Sequence, residues 1–400
     1  MTKLFALQGR IQNYAWGGTQ YLADLLDRDL KGQKAAEYWL GAHVNAPSIV
    51  RSNDGDKPLD ALLASNPEVY LGPEITKKFG RLPFLFKVVD VKDMLSIQVH
   101  PSKKEAEKGY KLENEMGIPT QASHRNYKDD NHKPEIMVAL SEFWLLHGFL
   151  PKEQLTERLE GIPEFHGLIS VFKKEGYRGL YKKVMEQSQE ESDQILFPLI
   201  NRIMPLYKAG SLKKPDPDYW AAKVFDESED KNTLDKGIFS IYFFNLVQAK
   251  KGEAIFQDAG IPHAYLEGQN MELMANSDNV LRAGLTPKHV DVPELLKHVI
   301  FEETDPHLMT GNVQNDGIER IYNSPAPDFE LSKIELQKGD HYSAKAATTQ
   351  ILMILEGEAL VQEGKTSLTC KKGDSALLLA GADYTISTES KAVIYKATAP

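Results

Sequence analysis

Lys250-Lys-Gly-Glu-Ala-Ile-Phe-Gln-Asp-Ala-Gly-Ile-Pro-His263 returns in altered form as Lys371-Lys-Gly-Asp-Ser-Ala-Leu-Leu-Leu-Ala-Gly-Ala-Asp-Tyr384. Each copy reads as a glycine turn, a short β-prone run, an Ala-Gly turn and the start of another run. Such self-similarity predicts two related β units in one chain. Only the first copy ends on an imidazole, because Tyr384 stands where His263 does. One unit is therefore expected to bind metal and the other to lack the site.

A turn followed by Gly-Asp/Glu, a strand, and Ala-Gly-x-x-His delivering a ligand is the pattern of a cupin-like β-barrel (jelly-roll). The expected fold is mainly β with an α-helical insert. It comprises one metal-bearing barrel and one degenerate C-terminal barrel. Working outward, Phe84 to Asp90 and Met94 to His100 are β-prone runs. Residues two apart on a strand share a face, so Gln98 and His100 point the same way. Asn131-His132-Lys133-Pro134-Glu135 adds a carboxylate. Gln98, His100, Glu135 and His263 form a donor set suited to a borderline divalent cation such as zinc. A lone histidine on a strand is ordinarily a core or surface group. His43, His124, His166, His289, His298, His307 and His341 are read that way.

From Pro151 to about Asp235 apolar residues recur at spacings of three and four, the period of helix. Ile238 to Val247 reads as strand again. The expected units are 1–150 with 236–305 as a discontinuous catalytic unit, 151–235 as a helical insert, and 306–400 as a C-terminal unit without metal ligands. Asn270 to Lys288 reads as a polar, irregular segment where binding groups collect.

The chain has 400 residues, 42% hydrophobic and 26% charged, with net charge −10. No basic stripe points to nucleic acid. No run approaches the ~18 apolar residues of a membrane helix, and the N-terminus lacks the apolar core of a signal peptide. A single cysteine, Cys370, fits a reducing compartment, so a cytoplasmic location is expected. Few thiols also mean that a metal here serves chemistry rather than folding.

Gln12-Asn-Tyr-Ala-Trp-Gly17, Ala36-Glu-Tyr-Trp-Leu-Gly-Ala-His43, Gln98-Val-His-Pro101, Tyr127-Lys-Asp-Asp-Asn-His-Lys-Pro-Glu135 and Ser277-Asp-Asn-Val-Leu-Arg-Ala-Gly-Leu-Thr-Pro-Lys288 resemble the type I mannose-6-phosphate isomerases. The likeness runs from about residue 8 to 300 and is most specific at the Tyr127–Glu135 string. It implies a cupin core and one Zn2+ per chain. It also implies interconversion of mannose 6-phosphate and fructose 6-phosphate by proton transfer through an enediol.

That reaction needs a base and a counter-charge for the enediolate. Arg282, always cationic, suits the second task. Candidates for the base are His132, Glu272 and Asp278. Proton relay is assigned to Glu272 or Asp278, with His132 and Lys133 assisting ring opening. No glycine-rich phosphate cradle is present, so the phosphate is expected on Ser96, Lys87 and Lys288, positions the resemblance supports. Trp16 is expected to wall the sugar site. Two other readings stand beside this one: an Fe(II) cupin oxygenase, and a cupin that binds a sugar phosphate without turning it over.

Overall fold

The computed structural model describes residues 2–52 and 55–400. Its strands form two antiparallel sheets, of twelve and ten strands. The two copies of the repeat adopt one conformation. Their turns place Gly252 at φ 89° and Gly373 at φ 91°, then Gly260 at φ 80° and Gly381 at φ 75°. These left-handed positions favour glycine because any Cβ is strained there. The strands Ala254–Gln257 and Ser375–Leu378 lie between them.

The C-terminal sheet begins elsewhere in the chain than the expected boundaries imply. Strand Leu4–Gln8 pairs with Ser375–Leu378, from Leu4 opposite Leu378 to Leu7 opposite Ser375. Strand Ile49–Arg51 pairs with it on the other side. Hydrogen bonding between distant strands carries no local sequence signal, which is why these runs read as part of the catalytic unit.

Helices occupy the chain from Lys152–Gly161 through Gly237–Phe243. The last of these corrects the strand expected from Ile238: Gly237–Phe243 is helical with all seven residues buried. The strand Phe244–Ala249 follows. A short apolar run buried on every side shows no period that separates helix from strand. These helices cover one face of the ten-stranded sheet. Leu146, Ala264, Val99 and Leu281 share an apolar cluster there with Leu196, Trp220 and Phe239.

A second correction concerns Asn270 to Ala275. They belong to the 13-residue strand His263–Ala275, and the irregular segment begins only at Asn276. The alternation was present but inverted in kind. Met271 and Leu273 enter the core shared by both sheets, while Asn270 and Glu272 are buried on the other face of the strand, Glu272 in the pocket that also holds Glu135 and His263. Among the described residues no helix is long and apolar enough to cross a membrane.

Candidate metal centre and catalytic cleft

Cross-strand register builds the site. Arg282 lies opposite Gln98, Gln98 opposite His263, and His263 opposite His147. Directly opposed residues share a face, so these four stand side by side inside the barrel. Their neighbours Leu281, Val99, Ala264 and Leu146 therefore point outward to the helical cluster. A second row runs across the adjoining wall. Trp39 lies opposite Lys87, Lys87 opposite Glu272, and Glu272 opposite Met137.

His100, Glu135 and His263 converge, with ligand atoms within 4.8 Å of one another and all three residues buried. Glu135 Oε1 is 3.4 Å from His100 Nε2, and its Oε2 is 3.5 Å from His263 Nε2. Each imidazole gives its other nitrogen to a backbone carbonyl. His100 Nδ1 meets Asn279 O at 2.8 Å and His263 Nδ1 meets Ile261 O at 2.9 Å. Donation from Nδ1 leaves Nε2 as a bare lone pair, the form that ligates metal. Both Nε2 atoms are buried without a hydrogen-bond partner. Gln98 stands beside His263 on the same face. Two imidazoles, a carboxylate and an amide oxygen fit a divalent cation.

Electrostatics agree. Burial and the Lys133 ammonium lower the His100 pKa to about 4, so the ring is neutral. Burial pushes the Glu135 carboxyl up, but the Lys133 ammonium opposes this and the carboxyl is held well below its usual range. Lys133 Nζ sits 3.0 Å from Glu135 Oε1.

Glu272 is the centre of a second cluster in the same pocket. It accepts from Lys87 Nζ at 2.8 Å and from the Tyr265 hydroxyl at 2.8 Å. Burial raises its pKa, the Lys87 ammonium opposes that rise, and the charges of Glu135 and Glu37 reinforce it. Lys87 also lies 3.6 Å from Glu37. Lys87, expected at the phosphate, is therefore a buried ammonium between two carboxylates. Glu37, Tyr265 and Tyr14 were not anticipated from sequence. Glu37 follows Ala36 in a quoted motif, and only strand pairing turns it toward Lys87. Desolvation and the charge of Glu37 push the Tyr14 hydroxyl up to about 12, and Trp16 stacks on that ring with centroids 5.7 Å apart.

The cations expected around substrate divide. Burial lowers the Arg282 pKa, and burial together with the charge of Arg282 lowers that of Lys288. Among the described residues neither forms an ion pair. Ser96 lies two residues before Gln98, partly exposed. Asp278 Oδ1 sits 3.2 Å from His43 Nε2. Burial favours its neutral form, but the His43 bond outweighs this and holds the carboxyl below its usual range. His43 itself is buried and edge-on to Trp39. His132 turns to Asp328, at 2.8 Å, instead of toward Glu135.

Two distant motifs prove to be one structure. Ser277 Oγ donates to Asp129 Oδ1 at 2.8 Å, and the Asp278 amide donates to Asp129 Oδ2 at 2.7 Å. Asn279, fully buried, donates to Asn131 O at 2.8 Å and accepts from the Lys128 amide at 2.7 Å. Since Asn279 O also orients His100, this zipper aligns two ligand-bearing segments. A larger cleft of about 710 Å3 opens beside Lys251, Lys333 and Lys391. Those cations meet Glu335 and Glu356, and that cleft holds none of the His100, Glu135 and His263 donors.

Residues 4–152 match the family described as phosphomannose isomerase type I, catalytic domain. The chain is 35% identical to the mannose-6-phosphate isomerase of Escherichia coli (strain K12), over 92% of this chain and 93% of that one. It is 36% identical to that of Salmonella typhimurium, over 93% of each. With the human mannose-6-phosphate isomerase it shares 32% identity, over 96% of this chain and 95% of the other. The solved structure of the Salmonella typhimurium enzyme bound to its substrate and to zinc superposes with TM-score 0.88 at 33% identity, covering both chains fully.

Proposed function

The chain belongs to the mannose-6-phosphate isomerase family, and we propose the following division of labour among its residues. It is a zinc-dependent isomerase that interconverts mannose 6-phosphate and fructose 6-phosphate. The observation that carries this is the convergence of His100, Glu135 and His263, with both Nε2 atoms bare, beside the Lys87–Glu272 pair.

Gln98, His100, Glu135 and His263 hold the zinc. When bound, zinc supplies a Lewis acid for substrate oxygens and so lowers the cost of negative charge on them. Glu272 carries the proton between C2 and C1. A base must give back what it takes, so its pKa should approach neutrality, and burial of Glu272 works in that direction. Lys87 keeps the carboxylate oriented and Tyr265 fixes its second oxygen. Asp278, held ionised by His43 and more exposed, is the poorer proton carrier.

Lys133 assists ring opening by presenting an ammonium beside Glu135. Arg282, on the ligand row next to Gln98, offsets the enediolate charge. Lys288 beside Arg282 receives the phosphate, with Ser96 as a hydroxyl donor; neither cation has a carboxylate to leave behind. Trp16 and Tyr14 wall the sugar. The unit boundaries follow this chemistry. The catalytic unit is 1–150 with 236–305, less the N-terminal strands that join 306–400, and 151–235 is the helical insert.

The test is a coupled assay on mannose 6-phosphate before chelation, after chelation, and after zinc is restored. Activity lost and regained in step with zinc is expected. Turnover indifferent to zinc removal refutes the assignment.

A further inference from the structure

Asp328 lies in the turn 323–329 joining strands Glu319–Tyr322 and Glu330–Leu336 of the C-terminal sheet. Its carboxylate nevertheless faces the catalytic unit. It is 1% exposed, and Oδ2 sits 2.8 Å from His132 Nε2. Among the described residues no other side-chain hydrogen bond engages either group. A buried carboxylate is costly unless paired, so this contact holds the two units in one relative position. The turn is itself anchored: Ala326 and Phe329 are buried in the cluster that contains Phe86 and Leu273 of the catalytic barrel. Lys78 Nζ reaches Pro327 O at 3.4 Å.

His132 begins the segment that ends on a metal ligand. One residue earlier, the Asn131 carbonyl accepts from Ser277 Oγ at 3.2 Å and from Asn279 Nδ2 at 2.8 Å. One residue later, Lys133 meets Glu135. The segment is thus gripped from inside the catalytic unit at Asn131 and from the C-terminal unit at His132. We propose that Asp328 is a positioning residue of the isomerase site, by which the C-terminal unit fixes, through His132, the segment carrying Lys133 and Glu135. This gives that unit a role in turnover, and it rests on the reading of the cleft as the isomerase site.

The experiment is a double-mutant cycle on full-length, zinc-loaded protein: wild type, Asp328→Ala, His132→Ala and the double variant, each measured for kcat, KM and Tm. Removing the hydrogen-bond partner of a metal ligand itself costs about 10- to 100-fold in activity or metal affinity. Asp328 acts one side chain further out, so Asp328→Ala should lose about tenfold in kcat, the lower end of that range, with little change in KM. The double variant should be no worse than the worse single, because the pair acts as one unit. Asp328→Asn should recover most of the loss, since its amide oxygen still accepts from Nε2–H. Losses that multiply in kcat, or coupling seen in Tm and not in kcat, overturn the proposal. Should Asp328→Ala not fold, Asp328→Ser replaces it in the cycle. Wild-type protein inactive on mannose 6-phosphate at full zinc would instead sink the isomerase reading.

Discussion

Lys87 and Glu272 face each other across adjacent strands, Nζ to Oε1 at 2.8 Å, with side chains only 7% and 5% exposed. Glu37 stands on the ammonium's other side, 3.6 Å away. One cation thus serves two buried carboxylates.

Glu272→Gln should keep the fold and its zinc while losing kcat by about 10²- to 10⁴-fold, the usual contribution of a positioned proton carrier. Single-turnover kinetics with metal analysis checks this. Lys87→Met leaves two buried carboxylates without their cation. It should also cost about 3–5 kcal/mol of stability, as loss of one partner of a buried pair does, read from urea unfolding.

His263→Ala removes a ligand whose Nε2 has no other partner. Metal content should fall from one per chain toward zero, and activity with it. Because zinc binds the folded chain preferentially, adding it to about 100 times Kd should stabilise wild type by about 2.7 kcal/mol. The variant should show no such rise in Tm.

Lys288→Ala should raise KM for mannose 6-phosphate by about tenfold, roughly the 1.4 kcal/mol of one charge-assisted contact. Its kcat should change little. An unchanged KM removes Lys288 from the phosphate site. Arg282→Ala, next to Gln98 on the ligand row, should lower kcat as well.

Glu294, outside the His100, Glu135 and His263 group, supplies a pH signature. Its bond to His298 lowers its pKa to about 2, against burial and with help from Lys297 and Tyr127. A carboxyl depressed in the folded state stabilises above its unfolded pKa, and that stability is lost as pH falls toward the folded value. The stability difference between wild type and Glu294→Gln should therefore be complete above the ordinary carboxylate value of 4.5 and vanish near pH 2. Urea unfolding across that window tests it.

Inside the C-terminal barrel Lys396 Nζ meets Glu319 Oε1 at 2.6 Å, and the Tyr342 hydroxyl donates to Glu319 Oε2 at 2.8 Å. Lys396→Met should destabilise by about 3–5 kcal/mol, because it strands a buried carboxylate. The Lys396→Met/Glu319→Gln pair should cost much less. Zinc content of the folded fraction should be unchanged in both.

The donor residues His100, Glu135 and His263, the repeat and the mainly β architecture were legible in the sequence, although not the convergence of the three donors. Those are local properties: donor types at period-two spacing, glycines at left-handed turns, apolar residues at helical spacing. Tertiary structure decided what local chemistry cannot. Lys87 and Lys288 are both lysines near β-prone runs, and only strand pairing puts one between carboxylates and leaves the other beside Arg282. Ile238 to Phe243 is helix, which the sequence could not show because burial on all sides erases periodicity. Leu4–Gln8 joined the far sheet, and Asp328 reached His132, through contacts between residues hundreds of positions apart. A side chain's role follows from the charges and donors it meets, and those are set by packing between segments that do not neighbour one another in the chain.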